Sequence, residues 1–130
     1  MGAKGFENME KKPYKRLEFW KLGYELLLGI YKVTAQFPAE ERYGITSQLR
    51  RASTSVCANI VEGYAKESRR DYLRYLRISR GSLAEVEFFL ELSLDLHYFD
   101  QTTYDDLDTL RSRTGFLLYR YIRSLEQSDT

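Results

Sequence analysis

The sequence predicts an all-α fold, an antiparallel up-down-up-down four-helix bundle, and three observations carry that prediction. Four segments place apolar residues at alternating spacings of three and four, as a helix with one buried face requires. No run shows the strict two-residue alternation of a half-buried strand. The three connections are short, so segments adjacent in sequence become antiparallel neighbours in space.

The first helix begins near Leu17, and its expected stripe is Leu17, Trp20, Tyr24, Leu27, Tyr31 and Thr34. Phe37-Pro38 ends it, because proline pushes the preceding residue out of helical geometry. The second helix carries Ile45, Leu49, Ala52, Val56 and Ile60, with Gly63 as its expected end. Ala52, Ser53, Ser55 and Ala58 are small and admit a close neighbouring backbone. Ser68 opens the third helix, with Asp71 completing an acidic variant of the capping box. This helix runs to about His97 on a seam of Leu76, Leu83, Leu90 and His97 alternating with Tyr72, Ser79, Val86 and Ser93. Thr103 with Asp106 repeats the capping pattern, and Leu107, Leu110, Thr114, Leu117, Tyr121 and Leu125 form the stripe of the fourth helix.

A chain of 130 residues fits one domain. At this size a fold buries roughly 68% of the surface its unfolded chain exposes and needs neither disulfide nor metal. Residues 14–127 are expected to form the bundle, 1–13 a disordered lead and 128–130 a tail. Leu26 to Tyr31 is the longest apolar run, too short to span a membrane. No signal-peptide centre is present, and the lone Cys57 suits a reducing cytosol, so the expected location is cytoplasmic.

Beside the seam of the third helix lie Tyr75, Ile78, Phe89, Leu92 and Leu96, which widen its apolar sector to about 160° at about 100° per residue. Two readings stand: a deeply buried central helix, or a subunit interface.

Catalytic patterns are missing. The one histidine, His97, falls at a helix end and reads as a cap, not a metal ligand. Glu-x-x-His, Gly-x-Ser-x-Gly, a Walker loop, Gly-x-Gly-x-x-Gly and Cys-x-x-Cys are all absent. The chain is expected to be no enzyme and to use no cofactor or metal.

Charge is where the sequence speaks about function. The net charge is only +1, yet residues 44–85 hold seven arginines and a lysine, while 81–108 hold eight acids and no base. Arg70, Arg74, Arg77 and Arg80 share one sector of the third helix, and Glu87, Glu91 and Asp95 follow them along it. That order opposes the helix dipole, so helix stability alone did not place these charges. Arg50 and Arg51 on the second helix, with Lys66 and Arg69 in the connection, can extend the patch. Tyr64, Tyr72 and Tyr75 interleave with it, a mixture suited to phosphate contact and base stacking. The competing reading makes the tyrosines core edges and pairs the arginines with acids, within the chain or across a subunit contact.

Several motifs stand in order: Tyr43-Gly44-Ile45, Gln48-Leu49-Arg50-Arg51-Ala52, Ala58-Asn59-Ile60-Val61-Glu62-Gly63 and Gly81-Ser82-Leu83-Ala84-Glu85. With Leu17-Glu18-Phe19-Trp20-Lys21 and Phe37-Pro38, this set resembles the bacterial four-helix-bundle proteins called 23S rRNA-intervening-sequence proteins, over residues 16 to about 125. The resemblance implies a homo-oligomeric ring, a homopentamer as a rule, encoded within ribosomal RNA genes. It also implies kinship with accessory proteins of diversity-generating retroelements, whose basic barrel engages nucleic acid and a protein partner, the reverse transcriptase. Arg50 and Arg51 match the family's paired arginine. Asn59, Glu62 and Gly63 match its Asn-Ile-x-Glu-Gly turn, where Asn59 and Glu62 are expected to satisfy backbone groups at a helix end. Cys57 departs from the pattern, which often has proline there.

The reading is therefore a non-enzymatic oligomer that binds RNA or DNA phosphates through Arg50, Arg51, Lys66, Arg69, Arg70, Arg74, Arg77 and Arg80. The alternative is a homo-oligomeric scaffold in which opposite charges meet between subunits.

Overall fold

Four helices carry the chain: α1 (Glu18–Thr34), α2 (Ile45–Tyr64), α3 (Arg69–Asp95) and α4 (Gln101–Gln127). The computed structural model of the protein describes residues 13–128. The lead expected over 1–13 and the tail expected over 128–130 lie outside the described residues, apart from Pro13 and Ser128. Short 3-10 turns, Pro13–Arg16 and Ala39–Glu41, precede α1 and join it to α2. Each helix packs on the next in sequence and α4 closes on α1, which makes the up-down-up-down bundle. The α2–α3 contact is the most extensive. No described helix is long and apolar enough to cross a membrane.

The α2 stripe is buried as expected, with Leu49, Ala52, Val56 and Ile60 fully enclosed. The helix runs unbroken through Cys57, the residue found where the family often has proline. Its end differs from expectation: α2 continues past Gly63 to Tyr64 and is capped by Ala65 in right-handed geometry. Gly63 answers to packing instead. A Cβ there would stand 2.7 Å from Tyr75 Cβ and 3.3 Å from the Tyr72 carbonyl oxygen, so α3 crosses close over it.

In α1 the buried residues are Phe19, Trp20, Leu22, Gly23, Leu26, Ile30 and Thr34, so Trp20 and Thr34 of the expected stripe are buried while its middle is displaced by about one position. Tyr24 and Tyr31 are instead 43% and 45% exposed. Their rings cover other groups: Tyr24 stacks on Trp20 at 4.9 Å, and Tyr31 lies under Arg50. Gly23 belongs to the buried face, touching Val56, Cys57 and Thr114. In α4 the fully buried residues are Leu107, Thr114, Leu118 and Ile122, and Leu110, Leu117, Tyr121 and Leu125 flank them half-buried.

The caps follow elementary chemistry. Ser68 Oγ accepts from the Asp71 N–H at 3.1 Å, as predicted. The cap of α4 is Asp100, three residues before the expected Thr103; its carboxylate accepts from the Thr103 N–H at 2.8 Å and is held below its ordinary pKa by that bond. At the other end of α3, Tyr98 N–H donates to Ser93 O and His97 N–H to Leu94 O, the Schellman pattern. His97 occupies its left-handed position with φ of 63°. That conformation costs a side-chain-bearing residue roughly 1–2 kcal/mol. His97→Gly is therefore expected to leave stability unchanged or raise it by about 1 kcal/mol, after glycine's own entropy cost. His97→Val, β-branched at positive φ, is expected to lower it. Thermal melting of both variants checks this, and a destabilised glycine variant would assign the imidazole another role.

Candidate nucleic-acid interface

Pairing α3 against α4 carries the charge order of the sequence into a polarity of the α3–α4 face. The basic half of α3 lies beside the C-terminal half of α4, because Arg77 bridges to Glu126 at 2.6 Å and Arg80 covers the Tyr119 ring at 4.9 Å. Its acidic half lies beside the N-terminal half of α4, with Glu87 reaching Arg111 at 3.5 Å. Asp105, Asp106 and Asp108 stand at that acidic end. Arg120 and Arg123, absent from the sequence-based candidates, join the basic end; Arg120 covers the Phe116 ring and Arg123 lies 3.9 Å from Glu126. Only the antiparallel hairpin places them there, since they lie about 40 positions further along the chain.

The eight predicted cations separate into two groups. Arg50 serves the fold: its Nε donates to Thr34 Oγ1 at 2.8 Å and its Nη2 to the Tyr31 carbonyl at 3.2 Å. It thereby places a cation on the free carbonyl end of α1, where the helix dipole favours one. Arg51 bridges α2 to α3 through Glu85 at 2.6 Å and also donates to Gln48. Arg50 is roughly 20 Å along α2 from the Tyr64 end, and Arg51 meets α3 at Glu85, five residues beyond Arg80. The remaining six, Lys66, Arg69, Arg70, Arg74, Arg77 and Arg80, share the basic end.

There the aromatic residues act as supports for cations. Lys66 Nζ and the Arg74 guanidinium both lie over Tyr75, at 5.2 and 4.7 Å. A guanidinium over a ring keeps its N–H edge free for a partner in the guanidinium's own plane. Arg70, Arg74 and Arg77 with Ile78 line an open surface groove of about 460 Å³. Tyr72 is not a stacking platform: burial and its bond to the Tyr121 hydroxyl push its phenol pKa far up and tie it to the core edge.

Asn59 does not close a helix end. It lies mid-helix in α2, donating to the Ser55 carbonyl and hydroxyl at 2.8 and 2.9 Å, and Ser55 shares a 2.7 Å bond with Ser82 of α3. With Ser79 Oγ donating to the Val56 carbonyl, this makes a polar seam that locks α2 to α3. Glu62 stands exposed in the last turn of α2. Cys57 is buried and its thiol is pushed up to about 12 by desolvation, so it remains protonated.

A family model described as 23S rRNA-intervening sequence protein matches residues 15–120. The chain belongs to that family. A crystal structure of a protein of unknown function from the S23 ribosomal protein family of Bacteroides thetaiotaomicron VPI-5482 has the same fold, with a TM-score of 0.75. It is 24% identical to this family member and spans 81% of its length and 95% of the neighbour's. No curated protein matches the chain.

Proposed function

We propose that this family member is a non-enzymatic protein that binds the phosphate backbone of RNA or DNA through its basic end. The observation that carries this reading is the gathering of Lys66, Arg69, Arg70, Arg74, Arg77 and Arg80 of one chain segment with Arg120 and Arg123 of another on the same end of the bundle. Cations on rigid helices, propped by Tyr75 and Tyr119, suit phosphate contact without base readout. A buried, protonated Cys57 speaks against nucleophilic chemistry at that thiol.

Titrating a labelled RNA against the protein at 50 and 200 mM salt tests this. With about five phosphate contacts, affinity is expected to fall roughly 10²–10³-fold across that range. Arg74→Gln with Arg77→Gln is expected to weaken binding to every sequence and to lower the salt slope by about 2. Arg50→Gln is expected to reduce stability and leave the slope unchanged. An unaltered slope in the Arg74/Arg77 variant, or no binding by the wild type at low salt, would overturn the reading.

A second reading is a homo-oligomeric scaffold, with a ring of five copies as the family resemblance implies. One observation favours subunit contact: Arg70, Arg74, Glu91 and Asp95 make no ion pair among the described residues, although all four lie on one helix. The wide apolar sector of α3 divides between the two expectations for it. Tyr75, Phe89 and Leu92 are half-buried within the bundle, and Ile78 and Leu96 are 43% and 44% exposed.

A further inference from the structure

We propose that two copies of this chain pair through the exposed face of α3, antiparallel, about a two-fold axis at Ala84. This rests on the second reading above, subunit contact, in which Arg74 and Arg77 meet acids of a second copy in place of phosphates, and it supplies the face, the direction and the symmetry.

At about 100° per residue, Arg74, Arg77, Gly81, Ala84, Phe88, Glu91 and Asp95 fall on one strip of α3. Their order along it is self-complementary. Glu91 stands as far beyond Ala84 as Arg77 stands before it, and Asp95 matches Arg74 to within one residue. Turning a second copy end for end therefore sets Arg77 against its Glu91 and Arg74 against its Asp95, each pair made twice. Arg74, Glu91 and Asp95 have no ion-pair partner among the described residues. Arg77 keeps donors to spare beyond its single bond to Glu126.

The middle of the strip fits as well. Phe88 is 58% exposed, a large ring left in solvent by the single chain. The position opposite it in the pair is Arg80-Gly81, and a Cβ on Gly81 would meet nothing within 4 Å. Gly81 and the exposed Ala84 leave a shallow notch into which the ring of the second copy seats, letting the two backbones approach. The pairing also accounts for a charge order that each helix alone disfavours. Bases at the start of α3 and acids at its end oppose its own dipole, but in an antiparallel pair each meets the opposite charge and the two dipoles oppose one another. A contact of this kind is isologous and closes at two copies, leaving α1, α2 and α4 free for any ring.

Charge exchange tests the register. Arg74→Glu and Asp95→Arg both move α3 toward the charge its dipole prefers, so neither is expected to unfold the chain. In light scattering over a concentration series, each single variant is expected to weaken self-association at least tenfold, and the double variant R74E/D95R to restore it. Ala84→Cys is expected to form a covalent dimer on mild oxidation, whereas the wild type, whose Cys57 is buried, is not. Failure of the folded double variant to recover association, or of Ala84→Cys to cross-link, overturns the proposal. An oligomer indifferent to both changes sinks the α3 pairing and leaves subunit contact elsewhere intact. A wild-type monomer at every concentration sinks both.

Discussion

Leu90→Ala is expected to cost about 2–5 kcal/mol and to lower the melting temperature by roughly 10–20 °C. Leu90 is completely buried on the inner seam of α3, in line with Leu76, Leu83 and Val86 and in one core cluster with Ile30, Leu49 and Leu118. Truncation removes the transfer free energy of the lost methyl and methylene groups. It also leaves a cavity that rigid helices, pinned to one another on the polar side by Ser55–Ser82 and Ser79–Val56, close only in part. Leu28→Ala on the outer face of α1 is the control. Leu28 is 53% exposed, and its loss is expected to change stability by no more than about 0.5 kcal/mol. Melting followed by circular dichroism measures both, and equal losses would mean that the inner and outer faces are assigned wrongly.

The second large effect is expected at Gly63. Its hydrogen faces α3 where a methyl group would stand 2.7 Å from Tyr75 Cβ, 3.1 Å from Tyr72 Cδ1 and 3.3 Å from the Tyr72 carbonyl oxygen. A Cβ and a backbone oxygen do not swing aside as a long side chain does, so α2 and α3 must move apart. Overpacking of this kind costs about 1–3 kcal/mol. Helix propensity acts in the opposite direction, favouring alanine over glycine by up to about 1 kcal/mol. Gly63→Ala is therefore expected to destabilise by about 1–2 kcal/mol, and Gly63→Val by more. The same crossing supports Tyr75, on which Lys66 and Arg74 rest, so these variants are also expected to weaken any RNA binding while leaving every charge in place. A Gly63→Ala variant more stable than the wild type would show that the interface relaxes freely.

The residues themselves marked out the four helices, the buried faces of α2 and α3, the Ser68 cap and the segregation of charge. Each of these depends on near neighbours in sequence: a period of three and four, a hydroxyl three residues from the N–H it accepts, a run of like charges. The stripe of α1 was harder because Leu26, Leu27 and Leu28 are consecutive and tyrosines flank them, so two adjoining faces are almost equally apolar. Gly23 lies on the inner face in ordinary contact distance of Val56 and Thr114, a placement that composition does not reveal. For α4, Asp100 wins the cap over Thr103 because its carboxylate accepts the Thr103 N–H, which starts the helix a turn earlier.

The candidate site was half legible. The six cations from Lys66 to Arg80 are adjacent on one connection and one helix, so their grouping follows from sequence and helical period. Arg50 and Arg51 are equally basic, yet Arg50 is engaged by a carbonyl and a hydroxyl of α1 and Arg51 by Glu85 of α3. Arg120 and Arg123 enter only because α4 runs back along α3. Sequence alone determined what each helix is and how charge is distributed along it, since those properties are local. Which cations are spent on the fold, which are gathered into one surface, and why Gly63 is a glycine were decided by the tertiary structure, because each depends on a contact between segments that only packing brings within reach.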